Sequence, residues 1–225
     1  MHSSPLPSQA AGLPGFGRLA VYLAGCVVFA VGAYLFIYSR LGTDPLDVFS
    51  LGLLRHVPLT IGIAQTLVAV ICLGAVALWT HQRPLLSPIF TFFFCGSLID
   101  MLRLLQPADL LGMVPMPAML LGTLLCAYGS SLIIMSGFGI RGMDLLAIEM
   151  TGHWGLPFWF TKGALEVLLL ASGWLMGGPV GIGTITFLLG VNGLIQPMMW
   201  ANARLLHLRN FGLPPREALQ ESLAI

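Results

Sequence analysis

Residues 23–59 read LAGCVVFAVGAYLFIYSRLGTDPLDVFSLGLLRHVPL, and residues 120–156 read LLGTLLCAYGSSLIIMSGFGIRGMDLLAIEMTGHWGL. Laid over one another at an offset of 97, they share 11 identical residues in 37 positions: Leu23/Leu120, Gly25/Gly122, Ala30/Ala127, Gly32/Gly129, Leu35/Leu132, Ile37/Ile134, Ser39/Ser136, Gly42/Gly139, Asp47/Asp144, His56/His153 and Leu59/Leu156. Composition alone would give roughly three or four. Apolar coincidences are common in such a chain, but a matched Asp and a matched His are not. Further on the offset becomes 95, as after a two-residue deletion, and pairs Trp79 with Trp174, Pro84 with Pro179 and Phe92 with Phe187. The chain carries one unit twice, and a repeat of this kind governs any reading of the fold.

The solvent of that unit is lipid. Of 225 residues, 57% are hydrophobic and 8% charged, where a soluble domain carries about a quarter charged residues. The net charge of +1 gives no case for nucleic-acid binding. About 20 apolar residues cross a bilayer core, and six stretches approach this: 19–39, 59–79, 85–104, 117–137, 157–176 and 181–200. The expected fold is all-α, a polytopic membrane protein of about six transmembrane helices. Each copy reads as span, short segment, span, span. Three crossings per copy is an odd number, so the second copy should enter the membrane inverted. Gly25 and Gly32 are seven apart and share a helix face, as do Gly122 and Gly129, where small residues let helices approach closely.

The expected organisation is a leader over 1–15, repeats over 16–105 and 106–200, and a cytoplasmic tail over 201–225. The first apolar run lacks a cleavage site after it and reads as a retained helix. If all six spans cross, one side carries Arg18, Arg83, Arg141, Arg204, Arg209 and Arg216, and the other Arg40, Arg55 and Arg103. Basic residues favour the cytoplasm, which places both termini there, in a bacterial inner membrane. Trp79, Trp154, Trp159 and Trp200 lie near span ends, as interfacial tryptophans do.

The short segments, DPLDVFSLGLLRH (44–56) and RGMDLLAIEMTGH (141–153), cannot cross. In the first, Asp44 is placed to cap a helix, Pro45 to begin it and Asp47 to stand third. Asp144 takes the same third place in the second. Two readings stay open: an interfacial helix with a carboxylate at its start, or a re-entrant half-helix in each copy, with the carboxylates holding an ion or polar solute. His56 and His153 end these segments and are weak candidates for proton coupling.

Polar groups inside the spans are functional suspects. Lys162 and Glu166 are four apart on the fifth span. Lysine first is the weaker order for such a pair, which points to partners elsewhere in the fold. Gln65 holds the Lys162 position in the first copy. Asn192 and Gln196 share a face of the sixth span, where amides join helices. Asp100 and Arg103 read as a pair near the interface. Cys26, Cys72, Cys95 and Cys126 sit singly in apolar runs, without metal or disulfide spacing. No catalytic motif is present, so neither an enzyme, a cofactor nor a metal site is expected.

From GTDPLDVFSLGLLRHVPLTIG onward the chain resembles the YczE-type bacterial membrane proteins, which are related in general character to YitT-type proteins. That family has Leu-Gly-x-x-Pro-x-Asp-x-Leu followed by Ser/Thr-Ile-Gly, here Leu41, Gly42, Pro45, Asp47, Thr60, Ile61 and Gly62. The stretch GWLMGGPVGIGT, Gly173 to Thr184, is similar too, and the likeness covers about residues 19–200. Val48-Phe49 and HQRPLLSP (81–88) depart from the pattern. The resemblance implies an integral membrane protein and adds no chemistry.

The expected function is a secondary transporter or permease of a small solute or ion, with a site at the repeat interface drawn from Asp47, Asp144, Gln65, Lys162, Glu166, Asn192 and Arg141. Lys162 and Arg141 would suit an anionic group. The rival is a non-transporting membrane protein that assists assembly or regulation of a partner. Beyond the lipid bilayer no partner is legible, and the oligomeric state has no signature.

Overall fold

Lipid offers backbone N–H and C=O groups no hydrogen-bond partner, so a chain of this composition must satisfy them within helices or a closed barrel. The structure is a computed structural model that describes residues 15–80, 87–139, 141–156 and 158–205. Residues 1–14 of the expected leader (1–15), the segment 81–86 with Arg83, and residues 206–225 of the expected tail (201–225), with Arg209 and Arg216, lie outside the described residues. Among those described, helices α1 (Phe16–Ser39), α2 (Pro45–Leu53), α3 (Ile61–Thr80), α4 (Ser87–Leu105), α5 (Pro107–Leu110), α6 (Pro115–Ser136), α7 (Gly142–Trp154), α8 (Phe158–Leu175), α9 (Ile182–Thr186) and α10 (Asn192–Leu205) follow one another without a strand. A π-helical turn, Phe187–Val191, joins α9 to α10.

Among the described residues, five helices are long and apolar enough to cross a membrane: Phe16–Ser39, Ile61–Thr80, Ser87–Leu105, Pro115–Ser136 and Ile182–Arg204. They coincide with five of the six apolar stretches. The sixth, 157–176, forms α8, but Lys162 and Glu166 lower its hydropathy and it is not among the five.

The core is built on α1 against α6, the most extensive helix contact. Gly25 faces Gly129 and Ile133, and Gly32 faces Gly122 and Cys126. Partner numbers that fall as the first numbers rise mean that the two helices run antiparallel. A Cβ built on Gly32 would stand 2.7 Å from the Cys126 amide nitrogen, and one on Gly129 would stand 2.5 Å from that of Phe29. The backbones themselves are in contact, which no other residue type permits.

Both helices end in the same way. Ser39 Oγ donates to the Phe36 carbonyl at 2.7 Å and accepts from the Leu41 amide at 3.2 Å. Ser136 Oγ donates to Ile133 at 2.6 Å and accepts from Phe138 at 3.2 Å. The next residue, Arg40 or Gly137, turns left-handed at φ 55° or 64° and closes the helix. The serine identity in the two copies is thus a helix stop, which satisfies carbonyls that would otherwise be left unpaired.

Around α1 and α6 the remaining helices pack in matched ways. Tyr22 meets Thr91 (2.6 Å between hydroxyls) and Cys26 meets Cys95, so α4 runs parallel to α1. Thr123 lies against Gly190 and Ser131 accepts from Asn202, so the final helix runs parallel to α6. Gly62 packs on Gly96 and Ser97, and the Ile61 and Gly62 amides reach Asp100, which sets α3 antiparallel to α4. The short α2 lies along α8 (Gly52 against Gly173 and Met176), and α7 lies along α3 (Gly142 against Ala69, Trp154 against Trp79).

These directions fix the path of the chain. α7 runs parallel to α3, and α3 runs parallel to α6. After α6 ends, the chain must therefore double back along the bundle before α7 begins. Residues 40–44 do the same before α2. Five residues span at most about 16 Å, and Asp44 and Arg141 at the starts of α2 and α7 lie beside Phe29 of α1 and Ile133 of α6, inside the bundle. Gly42, at φ 108°, lets the first return segment pass against Gly181 and Thr184.

Gly129→Val should destabilise the protein by about 1–3 kcal/mol or prevent folding, because the added atoms meet backbone that cannot yield. Gly74→Ala, where nothing lies within 4 Å, should change thermal stability in detergent by less than about 1 kcal/mol and in the favourable direction. Equal effects of the two would contradict the backbone contact.

Candidate functional site

The starts of α2 and α7 bring polar groups to the bundle centre. Asp44 caps α2 by accepting from the Asp47 amide, Pro45 is the first helical residue, and Asp47 stands third. The caps read from the sequence are in place. Pro45, Leu46, Asp47, Val48, Ser50 and Gly52 are all buried, so α2 is enclosed by protein rather than laid on its surface.

Asp47, 1% exposed, accepts a 2.7 Å hydrogen bond from Gln65 Nε2 through Oδ1, while its Oδ2 is buried without a partner. The second copy repeats the contact with charge added. Lys162 Nζ lies 3.5 Å from Asp144 Oδ1, an ion pair without hydrogen-bond alignment, and 3.9 Å from Glu166 Oε1. Gln65 and Lys162 thus hold equivalent places and reach equivalent aspartates. The partner that the weak Lys-first order called for is Asp144. Two carboxylates neutralise Lys162, which leaves it poorly suited to the anionic group expected from the sequence.

Arg141 corrects the count of loop cations. It is half-buried rather than in a surface loop: Nη2 donates to Ser130 Oγ at 2.7 Å, and its guanidinium lies over the Phe29 ring at 4.4 Å. Arg141 stands 97 residues after Asp44, so each is the N-cap residue of its copy's short helix. The two line one cavity of about 20 Å³ together with Phe29, Leu46, Gln65, Thr91, Phe92, Cys95 and Ile133, room for about one water. Searching the copies for identities misses this position, because it carries opposite charges. A search for paired ionisable residues at the same offset would have found it.

A larger pocket of about 710 Å³ opens beyond the C-terminal end of α1, lined by Tyr34, Tyr38, Arg40, Thr60, Asp100, Arg103, Gln106 and Asp109 among others. Asp100 does more than pair with Arg103 at 3.9 Å: its two oxygens accept from the Ile61 and Gly62 amides at 3.1 and 2.9 Å and cap α3. Gln65 is one turn further along α3, so polar groups continue from this pocket to the central cavity. Asn192 is half-buried at the start of α10, and no hydrogen bond among the described residues joins it to Asp47 or Asp144. His56 and His153 are exposed at the far ends of the short segments, His56 with a ring nitrogen 3.1 Å from the Met176 carbonyl and His153 with its ring 4.9 Å from that of Trp79. All four cysteines are buried and free. Among the described residues no group of three His, Cys, Asp or Glu is placed to hold a metal.

This chain belongs to a family of unknown function, DUF6198, whose model matches residues 16–199. It is 29% identical over 169 residues to a Bacillus subtilis protein described as uncharacterized membrane protein YczE, covering 75% of this chain and 79% of that one. It is 29% identical to the uncharacterized protein YyaS of the same organism, over 73% of this chain and 83% of that one. A Haemophilus influenzae protein is 26% identical over 86% of this chain and 88% of its own. No solved structure matches. The YczE resemblance read from Leu41 to Gly62 therefore holds, and a multi-pass helical membrane protein is what these relatives and the five apolar helices support.

Lys162→Gln leaves Asp144 and Glu166 without their cation and should cost on the order of 3 kcal/mol. Adding Glu166→Ala rebuilds the Asp47, Gln65 and Ala69 arrangement of the first copy and should recover most of that loss in thermal melts. Independent, additive effects of the two substitutions would mean that the triad is not coupled.

Proposed function

We propose that this protein is a secondary transporter or permease of a small solute, formed by two inverted three-span repeats with α8 as the sixth crossing. The observation that carries the proposal is the polar contact made twice, Asp47 to Gln65 and Asp144 to Lys162, with Gln65 also lining the cavity that Asp44 and Arg141 share. Buried charge inside a membrane bundle is costly and is kept where it lines a pathway. The exchange of partners supports inversion: α2 lies along α8 of the other copy, and α7 along α3. α1 and α6, the equivalent first helices, meet antiparallel. In this reading α2 and α7 are re-entrant half-helices, and the two copies rock about the α1–α6 contact to open the centre to either side.

Without Arg141, five basic residues (Arg18, Arg83, Arg204, Arg209 and Arg216) face three on the other side (Arg40, Arg55 and Arg103). The proposal keeps both termini in the cytoplasm of a bacterial inner membrane, so the 710 Å³ pocket faces outward.

Purified protein in proteoliposomes should exchange labelled solute from a panel of amino acids, carboxylates, amines and inorganic ions. Asp47→Asn and Asp144→Asn should each slow exchange by about tenfold or more, the scale of losing one charge-assisted hydrogen bond. In a variant keeping Cys95 as its one thiol, a small charged methanethiosulfonate should label the cavity, and the exchanged solute should protect it. Absence of exchange by well-folded protein, with Cys95 inert from both sides, sinks the proposal.

A further inference from the structure

The central charge pair deepens the transport reading, on which this inference rests. Asp44 and Arg141 hold the same place in the two copies and line the same cavity, yet they do not touch. The ion pairs within 4.0 Å among the described residues are Arg103 with Asp100, and Lys162 with Asp144 and with Glu166. A charge pair kept only for stability closes to contact, since attraction is steep where the dielectric is low and separation leaves both groups desolvated. Here both line a cavity whose other polar lining is Gln65, Thr91 and Cys95, with apolar residues around.

The two helix starts differ in a way that adds a direction. α2 is capped by its own Asp44 side chain, whereas α7 has no side-chain cap. The thirteen-residue α7 thus begins, without a side-chain cap, at the Arg141 that lines the cavity, and the positive end of its dipole adds to that charge, an arrangement that attracts an anion. The same cavity is lined by Asp44, 4% exposed. We infer that the transported solute is a small zwitterion. Its acidic group docks on Arg141 and the start of α7, in the fork geometry that guanidinium offers. Its ammonium docks on Asp44. A simple anion leaves Asp44 buried and unmatched, and a simple cation leaves Arg141 so. Sites of this kind reject an analogue that lacks one partner. The cavity is smaller than any zwitterion, so loading requires the starts of α2 and α7 to part.

The test is thermal unfolding of the purified protein with the common L-amino acids, betaine and taurine as zwitterions, and acetate, propionate, methylammonium and tetramethylammonium as singly charged halves. At least one zwitterion should raise the midpoint and compete in exchange, and the halves at equal concentration should not. Asp44→Asn, which keeps the cap because Asn caps as well as Asp, should lose the zwitterion preference and respond to carboxylates. Arg141→Gln should respond to the amines. If that variant does not fold, Arg141→Lys should weaken the zwitterion response without gaining one to amines. The inference is overturned if a singly charged half acts as well as the zwitterions on the unmodified protein, if no zwitterion acts, or if the variants keep the original profile. Exchange of a singly charged solute with every zwitterion inert removes this inference and leaves the transport reading. Zwitterion binding without any exchange by well-folded protein overturns the transport reading, and with it the claim that the zwitterion is transported.

Discussion

Everything else in this molecule is placed by the backbone contact between α1 and α6. In lipid there is no hydrophobic gain from bringing two apolar helices together, so close packing of small residues has to hold them. Gly25 and Gly32 on one helix meet Gly129 and Gly122 on the other. The resulting separation is what lets Phe29 of α1 support the Arg141 guanidinium and Ser130 of α6 hold it by a hydrogen bond. The chain then returns into the bundle from the far end of each helix, and the two return segments deliver Asp44 and Arg141 to the same small cavity.

The two copies have diverged where they meet. Their helix stops, glycine faces and third-position aspartates are alike, and these features make the scaffold. Their N-cap residues carry opposite charges, and the partner of the aspartate is an amide in one copy and a lysine in the other. A symmetric pair of aspartates at the N-caps would repel at this distance, and a pair of arginines would too. Divergence to opposite signs both relieves that repulsion and gives the centre a polarity along one direction. The cost of desolvating each charge is offset by local bonds to Asp47 N and Ser130 Oγ, without the two charges cancelling one another.

Much of the scaffold was legible in the sequence because it rests on local rules. Hydropathy marked six stretches; five match helices long and apolar enough to cross and the sixth forms α8, and the cap residues Asp44, Pro45 and Asp47 obey short-range chemistry. The offset of 97 exposed the repeat because its glycines, serine and aspartate are the same in both copies. What escaped depends on distance along the chain. Asp100 caps a helix that starts 39 residues earlier, Lys162 pairs with an aspartate on the preceding helix, and Arg141 was counted as a loop cation although the return segment carries it inward. The meeting of Asp44 with Arg141 escaped for a further reason: repeats are found by likeness, and this position is defined by difference. The π turn at Phe187–Val191 and Pro197 had no signal in apolar periodicity alone.

The central claim is that the two copies are inverted, so that the short helices return to opposite faces of the membrane. Arg55 and Gly152 are equivalent positions at the exposed ends of these segments. Single cysteines placed there, in a chain otherwise free of cysteine and embedded in sealed vesicles of one orientation, can be probed with a membrane-impermeant maleimide. The account predicts that a cysteine at position 55 is labelled from outside the cell and one at position 152 only from the cytoplasmic side. Labelling of both from the same side would contradict it.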